Sequence, residues 1–192
     1  PNLPTATVAE LIQLAKSKPK SVSIGHGPIG TPGHIGVVML QSMADLDLII
    51  VAYKGIAAAV PDIVSGQVQL GIGAFPAVTP LIQSGRLKAL AVTGSSRAPQ
   101  FPSVPTVAES GIPGYDVTTW LCFMTTGGTP SATLERLSAE IRRILELPDV
   151  RDTFEKQGTV AKGSTPAELA TALKAEATKW SKVFKNAKFE VK

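Results

Sequence analysis

An alternation of two patterns constrains this chain more than any other feature. A short apolar run rich in β-branched residues is followed by a stretch with helical spacing, and the pair recurs. The apolar runs are Ser21 to Gly25, Leu48 to Tyr53, Val68 to Ile72 and Leu87 to Thr93. Between them, Thr31-Pro32 opens a helix that carries Ile35, Val38, Met39 and Met43 on one side. A second helix runs through Val60, Ile63 and Val64 and stops at Gly66, and a third runs through Pro76, Leu81 and Ile82 and stops near Gly85. Repeated strand–helix units of this length predict an α/β fold, a parallel or mixed sheet flanked by helices. The Leu48 to Tyr53 run is too continuous for a half-exposed strand, so it is expected to be covered on both faces.

The flanks are different. Thr7-Val8-Ala9-Glu10 has the form of a capping box, with Leu11 and Leu14 beginning an apolar face and Pro19 ending the helix. Pro99 to Pro113 is a proline-rich loop with one helical turn expected over Val107 to Ser110. Asp116 to Met124 is expected to form a longer strand. Beyond Gly127 the pattern is helical only. Thr129-Pro130 opens a helix through Leu134, Leu137, Ile141, Ile144 and Leu145, and Pro148 to Gln157 makes a shorter one. Thr165-Pro166-Ala167-Glu168 is a second capping box, and its helix sets Leu169, Leu173, Trp180 and Phe184 along one stripe.

Composition removes several function classes. With 44% hydrophobic and 18% charged residues among 192, the chain can bury a core. The net charge of +4 is spread out, and aromatics are only 5%. A nucleic-acid binder needs a dense basic stripe with stacking platforms, so no nucleic-acid partner is expected. The basic tail of Lys179, Lys182, Lys185, Lys188 and Lys192 reads as a solvated face. The single cysteine, Cys122, lies in the run Trp120 to Met124 and is expected to be buried; alone, it leaves the redox compartment open. No apolar stretch reaches the ~20 residues of a membrane span. Pro1-Asn2-Leu3-Pro4 has no signal-peptide layout, and a processed chain or an excerpt is expected.

Catalytic patterns are absent. No Gly-x-Ser-x-Gly elbow occurs, and His26 and His34 have no acidic residue near them before Asp45, so neither a nucleophile site nor a metal site is expected. Two readings of the histidines stand: His26 as a loop hydrogen-bonder and His34 as a helix-start residue, or ligand contact by at least one of them. The loop Gly25-His26-Gly27-Pro28-Ile29-Gly30-Thr31 is the main functional signal. It follows a strand and opens a helix, where backbone N–H groups hold anions. The P-loop lysine is missing, and the loop fits a dinucleotide fingerprint only in its letters. It reads as an anion site at a helix start or as a structural turn.

Four segments together carry a resemblance. Val51-Ala52-Tyr53-Lys54-Gly55 is similar to a "VPYKG" strand end, and Asp62 to Val68 to a "DLLGGQV" passage. Gly85 to Thr93 is similar to "GKLRALAVT", and Pro102 to Gly111 to "PDVPTVAEAG". In order and spacing they resemble the substrate-binding proteins of tripartite tricarboxylate transporters, the Bug receptors, from Leu3 to Lys192. The resemblance implies a periplasmic, Venus-flytrap receptor of the type II periplasmic-binding-protein fold. Such a receptor is not an enzyme and uses no cofactor. It hands a small carboxylate (a dicarboxylate, an acidic amino acid or an aromatic acid) to a membrane permease.

The same resemblance implies that residues 3–118 form the second lobe, nearly complete, and that residues 119–192 are the C-terminal segment of the first lobe, whose N-terminal jaw is missing. It maps the ligand site onto Gly25, His26, Gly27, Pro28, Ile29, Gly30 and Thr31, with His34, Tyr53, Lys54, Gly73, Ala74 and Phe75. The family often reads "GSAGNGS" at the loop and "FDN" after the Val68 strand. Here His26, Pro28, Ile29 and Ile72-Gly73-Ala74-Phe75 make the pocket bulkier and less polar. An aromatic or mono-carboxylate is therefore expected over a citrate-like ligand, with Phe75 as a wall. Lys54 is either a charge beside the acid or a solvated strand-end lysine. Two other classes remain: the effector-binding domain of a regulator, which would need a helix-turn-helix elsewhere, and a small hydrolase using His26.

Overall fold

Residues 3–186 are described by a computed structural model. They fall into two compact units that divide between Thr119 and Trp120. The first holds α1 (Val8–Ser17), β1 (Ser23–His26), α2 (Pro32–Ala44), β2 (Ile49–Ala52), α3 (Ile56–Ser65), β3 (Leu70–Gly71) and α4 (Phe75–Gln83). The second holds α5 (Ser131–Leu145), α6 (Pro148–Lys156) and α7 (Pro166–Asn186). Lys188 and Lys192 of the basic tail lie outside the described residues.

In the first unit the strands pair parallel in the order β2-β1-β3. Ser23 is in register with Ile49 and His26 with Ala52 on one side, and Ile24 with Leu70 on the other. The chain leaves β1 for one neighbour and then crosses to the other. Right-handed crossovers therefore put α2 and α3 on opposite faces. The reversal of direction around β1 makes a switch point at the carboxyl ends of β1 and β3.

Packing follows the apolar pattern. All four residues of β1 are buried. Around it α1 buries Val8, Leu11 and Ala15, α2 buries Ile35, Val37, Met39 and Leu40, and α3 buries Ala59 and Ile63 beside Val68. Each of the valine, leucine, isoleucine and methionine side chains among them stabilises the fold by about 1.5–3 kcal/mol relative to exposure. The one buried serine of β1 is satisfied: Ser23 donates from both its backbone N–H and its hydroxyl to Gln69 Oε1, at 2.9 and 2.8 Å.

Several expectations need correction. β2 is not covered on both faces: it is an edge strand, with Ile49 46% and Ile50 37% exposed, because β1 occupies the centre. The Val68 to Ile72 strand contracts to Leu70–Gly71. Leu87 to Thr93 forms no strand. Its ladder groups turn instead to the proline-rich loop, with Val92 N–H donating to Pro105 O at 2.8 Å and an isolated bridge from Val92 to Thr106. Asp116 to Met124 forms no strand; its links to the chain before it include Val117 N–H to Thr93 O at 2.8 Å and the Thr93 hydroxyl to Val117 O at 3.3 Å. Cys122 is half-buried, and its neighbours Leu121 and Phe123 are 91% and 77% exposed. Met43 faces outward from α2. The helical turn after Thr106 is present, with Ser110 N–H donating to Thr106 O at 3.1 Å.

In the second unit, α5 touches both α6 and α7. The second capping box forms as read, with Glu168 N–H donating to Thr165 Oγ1 at 3.2 Å and Thr165 N–H to Glu168 Oε2 at 2.7 Å. The start of α5 differs: Pro130 is its N-cap, because the Thr129 hydroxyl turns back to Thr126 O at 2.8 Å. Neither α5 nor α6 buries a side chain fully.

Candidate functional site

A parallel sheet delivers every following helix start to the same edge. β1 leads to Thr31, the N-cap of α2; β2 leads to Gly55, the N-cap of α3; β3 leads to Ala74, the N-cap of α4. None of these three residues caps its helix with a side-chain hydrogen bond, and none of the three helices has an acidic residue in its first turn. Elsewhere the sequence neutralises helix starts. Glu10 and Thr7 cap α1, Glu168 and Thr165 cap α7, and Asp149 lies in the first turn of α6. The start of α5, in the other unit, is the remaining one without either device. An unblunted helix N-terminus carries roughly half a positive charge and exposed donors. Three at one edge make a place for an anion.

The corner is closely built. Tyr53 N–H donates to His26 O at 2.9 Å, and Ile72 N–H to Gly25 O at 3.1 Å, which joins the three strand ends. A Cβ on Gly27 would stand 3.9 Å from Gly55 Cα, and one on Gly33 would stand 3.3 Å from Ile72 O. A Cβ on Gly73 would collide with the Ile56 side chain, which fills the start of α3. Gly30 has φ +84°, a left-handed conformation that favours glycine, with open space around it. Thr31 was expected to cap α2. Its hydroxyl instead donates to Pro28 O at 2.6 Å and tightens the loop.

The two histidines meet here, with ring centroids 4.8 Å apart. His26 is buried, and its Nδ1 lies 2.5 Å from Gly27 O. A carbonyl only accepts, so that nitrogen carries the proton. His34 has the opposite arrangement: Gly30 N–H donates to its Nδ1 at 3.2 Å, which leaves the proton on Nε2. Partial burial, and then the neighbouring His26, lower the His34 pKa from its ordinary value.

The remaining candidates sort by environment. Pro28, Ile29 and Gly30 are exposed at the loop tip, as are Lys54, Gly73 and Ala74 at the other strand ends. Tyr53 packs its ring beneath Gly25 and donates its hydroxyl to Asp62 Oδ2 at 2.7 Å. That bond, followed by burial, raises its pKa and commits the side chain to α3. Phe75 stacks on Phe101 with centroids 5.9 Å apart. Both line an apolar cavity of ≈ 260 Å³ among α1, α3, α4 and the Leu87 to Thr93 segment, apart from the glycine loop. Gly55 and the first turn of α3 join this edge without a motif of their own in the sequence. The βα repeat was the signal for them, since each strand end must reach this edge. Among the described residues no group of three or more His, Cys, Asp or Glu side chains is placed to hold a metal ion, and no helix is long and apolar enough to cross a membrane.

Comparison with known proteins agrees with this architecture. The profile of the tripartite tricarboxylate transporter family receptors matches residues 1–188. A UPF0065 protein of the tcbD-tcbE intergenic region of Pseudomonas sp. strain P51 is 35% identical over 92% of the chain, and protein BugT of Bordetella pertussis is 31% identical over 95%. The chain spans 53% and 56% of those two relatives, about half their length. Among solved structures, R. palustris Rpa4515 with adipate superposes with a TM-score of 0.88 at 31% identity, covering 97% of this chain and 62% of that one. The periplasmic binding protein BugD gives 0.80 at 28% identity over 97% of this chain and 63% of its own. MatC of Rhodopseudomonas palustris with bound malate gives 0.79 at 25% identity over 95% and 63%.

Proposed function

The chain belongs to the tripartite tricarboxylate transporter family receptors, and on that premise we propose that the switch-point edge of its first unit grips a small carboxylate for delivery to a membrane permease. The observation that carries this reading is the convergence of three helix starts with no side-chain cap and no first-turn acid on one sheet edge. The adipate- and malate-bound neighbours support an acid as the guest. The contacts belong to the main chain of Gly25 to Thr31 and of Gly73 and Ala74, with Gly55 beside them and the exposed Lys54 ammonium adding charge. His26 and His34 shape the loop.

No bond is made or broken in this account. The carboxylate trades water for fixed N–H dipoles. We assign the first unit to one lobe of a two-lobed periplasmic receptor and the second unit to part of the other lobe. Closure of such a receptor favours the liganded form because both lobes then touch the guest. With Ile29 at the tip and no polar side chain in Ile72 to Phe75, an aromatic or mono-carboxylate suits the site better than a citrate-like acid.

Isothermal titration of the complete receptor and of the 192-residue chain, in parallel, against adipate, malate, benzoate and the neutral adipamide tests the reading. Saturable binding of at least one acid, none of adipamide, and weaker binding by the shorter chain are expected. Equal binding of adipamide, or no acid bound by the complete receptor, would contradict it.

A further inference from the structure

The histidine pair gives the loop a proton-dependent latch. We propose that His34 is a positioning residue for the carboxylate loop: as the neutral Nε2–H imidazole it holds the Gly30 amide on Nδ1, and protonation of that nitrogen releases the loop. The inference rests on the carboxylate reading of this corner and adds its regulation.

The geometry dictates the chemistry. Gly30 N–H points at His34 Nδ1 across 3.2 Å. A proton on Nδ1 would set donor against donor, and the contact would have to open. Gly30 is the left-handed residue of the turn, at φ +84°, so its amide direction sets the path of the whole tip. Within the loop, Pro28 O is already taken: it receives both the N–H and the hydroxyl of Thr31, at 3.2 and 2.6 Å. His26 keeps the two rings in contact, with centroids 4.8 Å apart, and its own Nδ1 is spent on Gly27 O.

His26 is the titratable group whose ring meets His34. His26 comes from β1. The adjoining loop residues Pro28, Ile29 and Gly30 and the helix-start residues Pro32 and Gly33 carry no charge. Lys54, past the end of β2, is exposed. Partial burial and His26 both oppose a charge on His34, so the latch holds at neutral pH and opens as pH falls through the lowered pKa.

Because the chain has only two histidines, its imidazole nitrogens are readily assigned by NMR. A long-range 15N–1H spectrum of the 192-residue chain is expected to show His34 as the Nε2–H tautomer and His26 as Nδ1–H at pH 7.5. The Gly30 amide is expected to shift along the His34 titration curve. A His34 Nδ1–H tautomer, or a Gly30 amide indifferent to His34, would overturn the proposal whether or not a ligand binds. In His34→Asn, Oδ1 takes the place of Nδ1 but does not titrate. For the complete receptor, adipate affinity is expected to fall by about tenfold more from pH 7.5 to pH 5 in the wild type than in His34→Asn, as for loss of one hydrogen-bonded contact. The ligand's own titration is common to both proteins and cancels. Parallel pH profiles, or tighter wild-type binding at acid pH, would refute the latch. A receptor that binds adipate at no pH would instead refute the carboxylate reading while leaving the tautomer result standing.

Discussion

Tyr115 is buried, with 1% of its surface exposed, and donates to Gly36 O at 2.9 Å, so its phenol must stay protonated in the fold. Burial raises its pKa above the ordinary value near 10. The raised group favours the folded state below pH ~10, where both states are protonated. Above that the unfolded chain ionises and the folded one does not, so stability falls as pH rises. Tyr115→Phe is expected to cost about 0.5–1.5 kcal/mol in urea denaturation at pH 7, since it removes a buried hydrogen bond, and to reduce the loss of stability above pH 10. The Gly73 site is a second local test: a methyl there must displace Ile56, so Gly73→Ala is expected to destabilise by roughly 1–3 kcal/mol. At this scale the glycine loop was legible because its residue types allow few alternatives. The roles of the two histidines were not. Which nitrogen carries the proton depends on Gly27 O and Gly30 N–H, and spacing along the chain says nothing about either.

Helix starts are where sequence and function trade against each other. Thr7→Ala and Thr165→Ala remove caps that only hold helices, and each is expected to cost about 0.5–2 kcal/mol without changing ligand affinity. Ala74→Asp does the reverse. Aspartate is a strong N-cap residue, so it is expected to stabilise α4 by roughly 0.5–1 kcal/mol in thermal unfolding while abolishing carboxylate binding. A gain in both would contradict the anion site. The helices were readable from period, proline and capping boxes, within a residue or so at most ends. Strands were less so. Leu87 to Thr93 has strand composition, yet Val92 bonds to Pro105 and Val107, and Thr93 to Val117. The apolar cavity separates it from β3, a pairing between distant segments that composition cannot specify.

Across the whole molecule, the order β2-β1-β3 matters more than any single residue. The alternation announced a parallel sheet, and strand order then made the carboxyl edge of β1 and β3 a crevice. The apolar Trp120 to Met124 segment forms no strand and leaves Leu121 91% and Met124 69% exposed. Sedimentation of the 192-residue chain is expected to show self-association that Leu121→Lys with Phe123→Lys relieves. The central claim concerns the edge itself, and amide chemical-shift mapping with adipate addresses it most directly. The account predicts saturable shifts at Gly27, Ile29 and Gly30, at Gly55 to Ala57 and at Ala74 and Phe75, all lost in Ala74→Asp. Shifts confined to the cavity around Leu90, Phe101 and Val104, or unchanged in Ala74→Asp, would contradict it.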